Sequence, residues 1–420
     1  MNDKQMIIKA EGGVCAPLGF SANGVHCGIR AGSDPDKKDL ALIVSKKQAV
    51  AAAVYTTNKV KGAPITVTKE HIADGLAQAV ICNSGNANTC NADGIEIAKE
   101  MSRIAAEALN GSVQTEDPIP PEDVIVGSTG VIGEPLSTGP IKASIAELVA
   151  GLSADAHKAA AEAIMTTDTI RKEAAVEFAI GGKTCRIGGM AKGSGMIHPN
   201  MATMLVFLTS DAAITADMLQ QALSADIPDT FNMISVDGDT STNDTVAIMA
   251  NGMAGNPVID AEGEDYDTFY SALHAVMSDL CQRIAADGEG ATKLLTCSVT
   301  GARTKEDAKT VAKSIICSSL VKTAMAGGDA NWGRVLCAIG YSEADVDVTK
   351  VELSFRSPVG EIRVCESGAG IPFSEEEAAD VLAAEEVEII VDLHDGDGEA
   401  TAWGCDPTHE YISINADYRT

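Results

Sequence analysis

The chain has 420 residues, with 31 Lys plus Arg set against 60 Asp plus Glu, a formal net charge of −29. That acidic balance disfavours nucleic acid and anionic membranes as partners and serves mainly solubility. Eleven cysteines, an odd and scattered set with no C-x-x-C pair, argue against a disulfide scaffold and for a reducing, cytoplasmic compartment. The opening segment has no apolar core for a signal peptide, and no stretch approaches the roughly 20 apolar residues of a membrane helix. Aromatics make up only 4% while Ala, Gly, Val and Ile abound, which suits an α/β protein of two or three domains.

In chain order, the first third is rich in glycine and strand. Asp39–Val44 and Ala49–Tyr55 read as two apolar strands, and Ala79–Cys82 feeds the turn-forming loop Asn83-Ser84-Gly85-Asn86-Ala87-Asn88-Thr89. Ile95 to Leu109 has helical spacing. Asp123–Val126 reads as a strand that ends in Gly127-Ser128-Thr129-Gly130-Val131-Ile132-Gly133. A Gly-rich turn after a strand can aim backbone N–H groups at one point, as an oxyanion hole requires. It can equally bind phosphate or simply reverse the chain, and no G-x-x-x-x-G-K-[ST] is present to make a P-loop. Residues from Ile141 to Ala163 read as one helix that ends at Thr166-Thr167-Asp168, and 176–180 and 184–187 as a hairpin around Gly181 and Gly182. Helices follow over 214–225, 267–286 and 305–319, with a short acidic one over 374–384. The last residues, Tyr411–Thr420, read as a strand.

The stretch that carries chemistry is Lys192-Gly193-Ser194-Gly195-Met196-Ile197-His198-Pro199-Asn200-Met201-Ala202-Thr203-Met204-Leu205, a glycine-rich loop running into a buried strand. Thr203 stands where loop becomes strand, behind the small Ala202. Its hydroxyl can attack the preceding carbonyl if a tight turn holds the two together. The resulting ester would hydrolyse and leave Thr203 as a new N-terminus, whose α-amine, with an ordinary pKa of about 8, can serve as the hydroxyl's own base.

K-G-S-G-M-I-x-P-N-M-A-T-M-L resembles the processing site of the ornithine acetyltransferase family, the glutamate N-acetyltransferases of arginine biosynthesis. G-x-x-A-P-x-G-F, D-L-A-L-I, T-T-N-x-V-x-x-A-P, N-S-G-N-A-N, S-V-D-G-D-T-S-T-N-D, D-G-E-G-A-T-K, G-D-x-N-W-G-R and the tail N-A-D-Y-R-T are similar too, so the resemblance runs from Gly13 to Thr420. It implies self-cleavage between Ala202 and Thr203, giving chains 1–202 and 203–420, with Thr203 as the acetyl-carrying nucleophile. Thr129 (hydroxyl) and Gly130 (backbone N–H) would form the oxyanion hole. Thr166 (or its neighbour Thr167), Lys192, Glu289, Asn415 and Thr420 would bind substrate. The reaction would move acetyl from N2-acetylornithine to glutamate by a ping-pong route, and a bifunctional member would also take acetyl-CoA. No cofactor and no metal is implied.

The same resemblance implies a layered sheet-and-helix core of the ornithine acetyltransferase type, N-terminal-nucleophile-like. The expected domains are a catalytic one over 1–299 and a smaller α/β C-terminal one over 300–420, whose tail returns to the site. The two processed chains would assemble as α2β2. A self-processing aminopeptidase or amidase is the alternative, with water as acceptor. Other clusters read as ordinary. Asp237-Gly238-Asp239 lacks the sixth-position Gly and twelfth-position Glu of a calcium loop. By the resemblance the run Ser235–Asp244 is instead a hydrogen-bonding loop that supports the nucleophile, with Asn243 and Asp244 as candidates. Asp392, His394, Asp395 and Asp397 form an acidic turn rather than a metal set, and His198 is structural.

Overall fold

The computed structural model describes residues 7–30, 32–112, 117–198 and 204–417. The chain divides into two compact units: Met1–Gly193, Asn200–Pro228 and Thr240–Leu280 form the first, and Ser194–Pro199, Asp229–Asp239 and Cys281–Thr420 the second.

The first unit is built on a nine-stranded sheet of β1 (Ile8–Lys9), β2 (Phe20–Val25), β3 (Leu40–Tyr55), β4 (Leu76–Asn83), β5 (Val124–Ser128), β6 (Lys172–Ile180), β7 (Lys183–Lys192), β8 (Leu205–Ser210) and β10 (Thr245–Ala250). Its order is β1-β6-β7-β8-β10-β3-β4-β5, with β2 paired to β3 beside this path. Both faces are buried, which is why the strands read as apolar runs rather than as alternation. Leu40, Leu42 and Val44 of β3 join Ile81 of β4 and Val124 and Val126 of β5 in one apolar cluster. Ala41 and Ile43 join Val80, Cys82 and Ile125 in the other. The period of two thus sorts each strand between two cores. The first cluster takes in residues of α2 (Gly94–Asn110) and α3 (Gly139–Ala150), and the second those of α4 (His157–Ala163).

Two expectations change here and a third holds. The two strands expected over 39–55 are one long β3, whose pairing with β4 shifts register between Val44 and Ala49. The single helix expected over 141–163 is broken into α3 and α4. At the break Ala22 and Ser153 exchange backbone hydrogen bonds of 3.1 and 3.2 Å, and a Cβ on Gly151 would stand 2.3 Å from Asn23 Nδ2. Close approach to β2 therefore outweighs the alanine-rich helix propensity. The hairpin of β6 and β7 is as expected, with Gly181 and Gly182 at φ +56° and +72°, the left-handed pair a two-residue turn needs.

The second unit carries a seven-stranded sheet, ordered β14 (Ala369–Gly370), β13 (Gly360–Glu366), β12 (Glu352–Ser357), β15 (Glu386–Asp392), β11 (Leu294–Ala302), β16 (Gly398–Cys405) and β9 (Ile234–Ser235). α7 (Lys305–Cys317) packs on β11 and β16 and buries Val311, Ile315 and Ile316. The domain boundary expected at residue 300 falls inside β11, the strand that pairs with β15 and β16, and this unit also takes in Ser194–Pro199 and Asp229–Asp239. The helix expected over 305–319 ends at Cys317, because Ser318 caps the next helix by accepting from Val321 N. The tail expected as a strand is instead α11 (His409–Ala416). Thr408 accepts the Glu410 N–H at 3.2 Å and places an acid in the first turn, so capping outweighs the β-branched Ile412 and Ile414. Among the described residues no helix is long and apolar enough to cross a membrane.

Candidate active site

In the first unit, β5 ends at Ser128 and delivers Thr129 and Gly130 to a turn that lies against the Asn83–Thr89 loop. The Thr129 N–H donates to Asn83 O at 3.0 Å, and Ser128 Oγ donates to Asn83 Oδ1 at 2.7 Å. Gly130 sits at φ +129°, and a Cβ there would lie 2.3 Å from the Gly85 carbonyl carbon, so only glycine fits. Thr129 and Gly130 are themselves half-buried. Lys192, the last residue of β7 and 9% exposed, brings its ammonium to 3.5 Å from Thr129 Oγ1. An ammonium only donates, so it addresses the Thr129 lone pair and leaves the hydroxyl proton for another acceptor.

Asp168 ties this region together. Its Oδ1 accepts from Lys172 Nζ at 2.6 Å and from the Gly193 N–H at 2.7 Å, and its Oδ2 from the Thr166 N–H at 3.0 Å. One fully buried carboxylate thereby fixes both Thr166 and the peptide that follows Lys192. Burial works to raise its pKa, but the charges of Lys172 and Lys192 and these hydrogen bonds hold the carboxyl below the usual carboxylate range. Across the sheet Lys192, Leu205, Thr245 and Tyr55 stand in one register row, and Thr245 N donates to Met204 O at 2.9 Å. Beside that row lies Asp244, buried, with its carboxyl pushed well above the ordinary range by desolvation, which the Lys192 charge partly opposes. Its Oδ2 has no hydrogen-bond partner among the described residues. Ala202, Thr203 and Thr420 lie outside the described residues, and so does the expected cleavage between 202 and 203.

In the second unit, Glu289 and Tyr411 line a cavity of about 190 Å³ together with Asp237, Lys322 and Cys405. The Glu289 N–H donates to Ser194 O at 2.9 Å, and Asn415 Nδ2 donates to Glu289 Oε2 at 2.6 Å, so two expected substrate residues are hydrogen-bonded to each other. A Cβ on Gly195 would stand 2.3 Å from the Glu289 carboxyl carbon, which accounts for the glycine. Asp237 accepts the Met196 and Ile197 N–H groups at 2.5 and 2.9 Å and the Tyr411 hydroxyl at 3.2 Å. Burial and the neighbouring Asp237 push the Tyr411 phenol up, so it stays a donor. His198 contacts Ser235 Oγ at 3.1 Å and Cys317 Sγ at 3.5 Å, and burial with nearby Lys313 lowers its pKa and favours neutral imidazole. The Asp395 carboxylate is engaged by Arg303 and Lys350 in ion pairs, the ordinary role of an acidic turn.

The structure therefore brings Thr129, Gly130, Thr166 and Lys192 into one hydrogen-bonded region of the first unit, and Glu289 with Asn415 into one cavity wall of the second. Sequence reasoning missed Asp168 and Asp237, which hold those residues.

A hydroxyl and a left-handed glycine thus stand at a strand end beside a buried lysine. The sequence profile of the ArgJ family matches residues 21–420, and the chain belongs to that family. It is 51% identical over 410 residues to the arginine biosynthesis bifunctional protein ArgJ of Symbiobacterium thermophilum, covering 97% of this chain and 99% of that one. It is 49% identical over 411 residues to the protein of the same name from Caldanaerobacter subterraneus, covering 98% and 99%. Among solved structures, the ornithine acetyltransferase of Mycobacterium tuberculosis complexed with ornithine is 34% identical, covering 47% of this chain and 100% of that one with a TM-score of 0.42.

Proposed function

We propose that this chain is a glutamate N-acetyltransferase that moves the acetyl group of N2-acetylornithine to glutamate. The observation that carries the reading is the end-to-end match to relatives named for arginine biosynthesis, on a chain whose Thr129, Gly130 and Lys192 share one region. The Thr203 hydroxyl, freed by self-cleavage after Ala202, attacks the acetyl carbonyl, with its own α-amine as base. Negative charge grows on the carbonyl oxygen and is met by the Thr129 hydroxyl and the Gly130 N–H. The C–N bond breaks, the amine leaves as ornithine with the proton taken from Thr203, and an acetyl-Thr203 ester remains. The glutamate amine then attacks that ester through the same oxyanion site, releasing N-acetylglutamate and the Thr203 hydroxyl.

Glu289, held by Asn415, and the Thr420 carboxylate suit a substrate ammonium, Lys192 suits a substrate carboxylate, and Thr166 lines the site. Acyl transfer by a side-chain ester needs no cofactor or metal. Relatives called bifunctional support a second activity, which we read as acetylation of glutamate from acetyl-CoA. The chains 1–202 and 203–420 stay associated, assemble as α2β2, and work in the cytoplasm. Ornithine release measured with and without glutamate tests the reading. Release that depends on glutamate supports it, and equal release into water alone would make the protein an amidase.

A further inference from the structure

Asn243 lies in the loop before β10 and is 6% exposed. Its Nδ2 donates to Ala87 O at 2.5 Å and to Ser128 O at 2.9 Å. Its Oδ1 accepts from Thr89 Oγ1 and Thr242 Oγ1, each at 2.6 Å. The two carbonyls can only be served by the NH2 group, so the amide's orientation is determined, and both donors and both acceptor sites of the side chain are used. A Cβ on Gly62 would come within 2.6 Å of Asn243 Nδ2, so backbone packs directly against the amide.

The bond to Ser128 O matters most. The peptide between Ser128 and Thr129 has its N–H fixed by Asn83 O and its carbonyl fixed by Asn243. Both ends of the plane preceding the oxyanion turn are thus held. Through Ala87 and Thr89, the same amide also holds the loop against which Gly130 is packed. A misplacement on the order of 1 Å at such a site costs about 100-fold in rate.

We infer that Asn243 is the positioning residue of the oxyanion turn: one buried amide clamps the Asn83–Thr89 loop to the Ser128–Gly130 turn and so sets where Thr129 and Gly130 present their donors. The inference rests on the acetyl-transfer reading above. Asn243 touches no substrate and acts through Thr129 and Gly130.

The test is a double-mutant cycle on the full-length protein, with rates normalised to cleaved chain. Asn243→Asp keeps the shape and both acceptor sites but sets carboxylate oxygen against two carbonyls. It should lower kcat about 100-fold and leave KM for N-acetylornithine within about threefold, because the turn meets charge that forms only in the transition state. In a Thr129→Ala background the same substitution should cost clearly less, about tenfold, since only the Gly130 N–H is left for it to position. Asn243→Ser, which retains a neutral donor, should fall between the two and serves if the aspartate variant does not fold. Equal losses of kcat in both backgrounds, a rise in KM at unchanged kcat, or a fall in thermal stability alone would overturn the inference. Wild-type enzyme releasing ornithine without glutamate would instead sink the underlying reading.

Discussion

The Thr129–Gly130 turn of the first unit and the Glu289 cavity of the second are built differently. Around Thr129 the scaffold is backbone and buried amide, with Asn83, Asn243 and Asp168 all buried and hydrogen-bonded. Around Glu289 the scaffold is carboxylate and hydroxyl at the wall of a cavity, with Asp237, Glu289 and Asp406 opposed by Lys322. The first arrangement holds backbone through many buried hydrogen bonds. The second, on the proposed function, would offer negative charge to a substrate ammonium. Substitutions in the first should therefore act on stability and kcat, and those in the second on KM.

The largest effect should come from Asp168→Asn, which removes the carboxylate charge paired with the buried Lys172 ammonium. Breaking a buried pair in this way costs about 3–5 kcal/mol, read as a large drop in melting temperature. Asp168 has a depressed folded pKa, so its stabilisation is present above the ordinary carboxylate pKa and is lost as pH falls. The variant should accordingly show a weaker loss of stability on acidification than wild type. Next, Thr129→Ala should lower kcat by about 10²–10³ with KM nearly unchanged, the size found when one oxyanion donor is removed. Steady-state rates with saturating glutamate measure it.

On the other side of the comparison, Glu289→Gln should raise KM for N-acetylornithine by roughly tenfold, as expected when a charge-assisted hydrogen bond becomes a neutral one. A fall in kcat at constant KM would blur the division of labour between the two regions. The smallest effect should come from Asp244→Asn. A buried acid with a raised folded pKa binds its proton more tightly when folded, so wild-type stability declines as pH rises from the ordinary carboxylate pKa toward the folded one. The asparagine variant should lose that decline and melt higher than wild type at alkaline pH, as thermal denaturation across a pH series would reveal.

Much of this architecture was legible because each element carries its own local signal. The β6–β7 hairpin is written in Gly181 and Gly182, and β4 and β5 in apolar runs that only a sheet buried on both faces requires. The helix at 94–110 follows directly from spacing. What escaped is non-local. Gly151 breaks a good helix because Asn23, far away in sequence, comes within reach. The tail is a helix because Thr408 caps it, although Ile412 and Ile414 favour strand. The candidate site divides the same way: Thr129, Gly130, Lys192 and Glu289 stand in recognisable motifs. Asn243 stands in such a motif too, but its partner Ser128 lies 115 positions away, and Asp168 and Asp237 act across gaps of 25 and 40 positions through hydrogen bonds that no periodicity announces.

The most direct test is the denatured intact mass of the purified protein after mixing with N-acetylornithine in the absence of glutamate. The account predicts two chains, 1–202 and 203–420, with a single acetyl group, about 42 Da, on the second that disappears when glutamate is added. It also predicts an uncut, unacetylated chain for Thr203→Ala. An uncut wild-type chain, or a cut one that never carries acetyl, would contradict it.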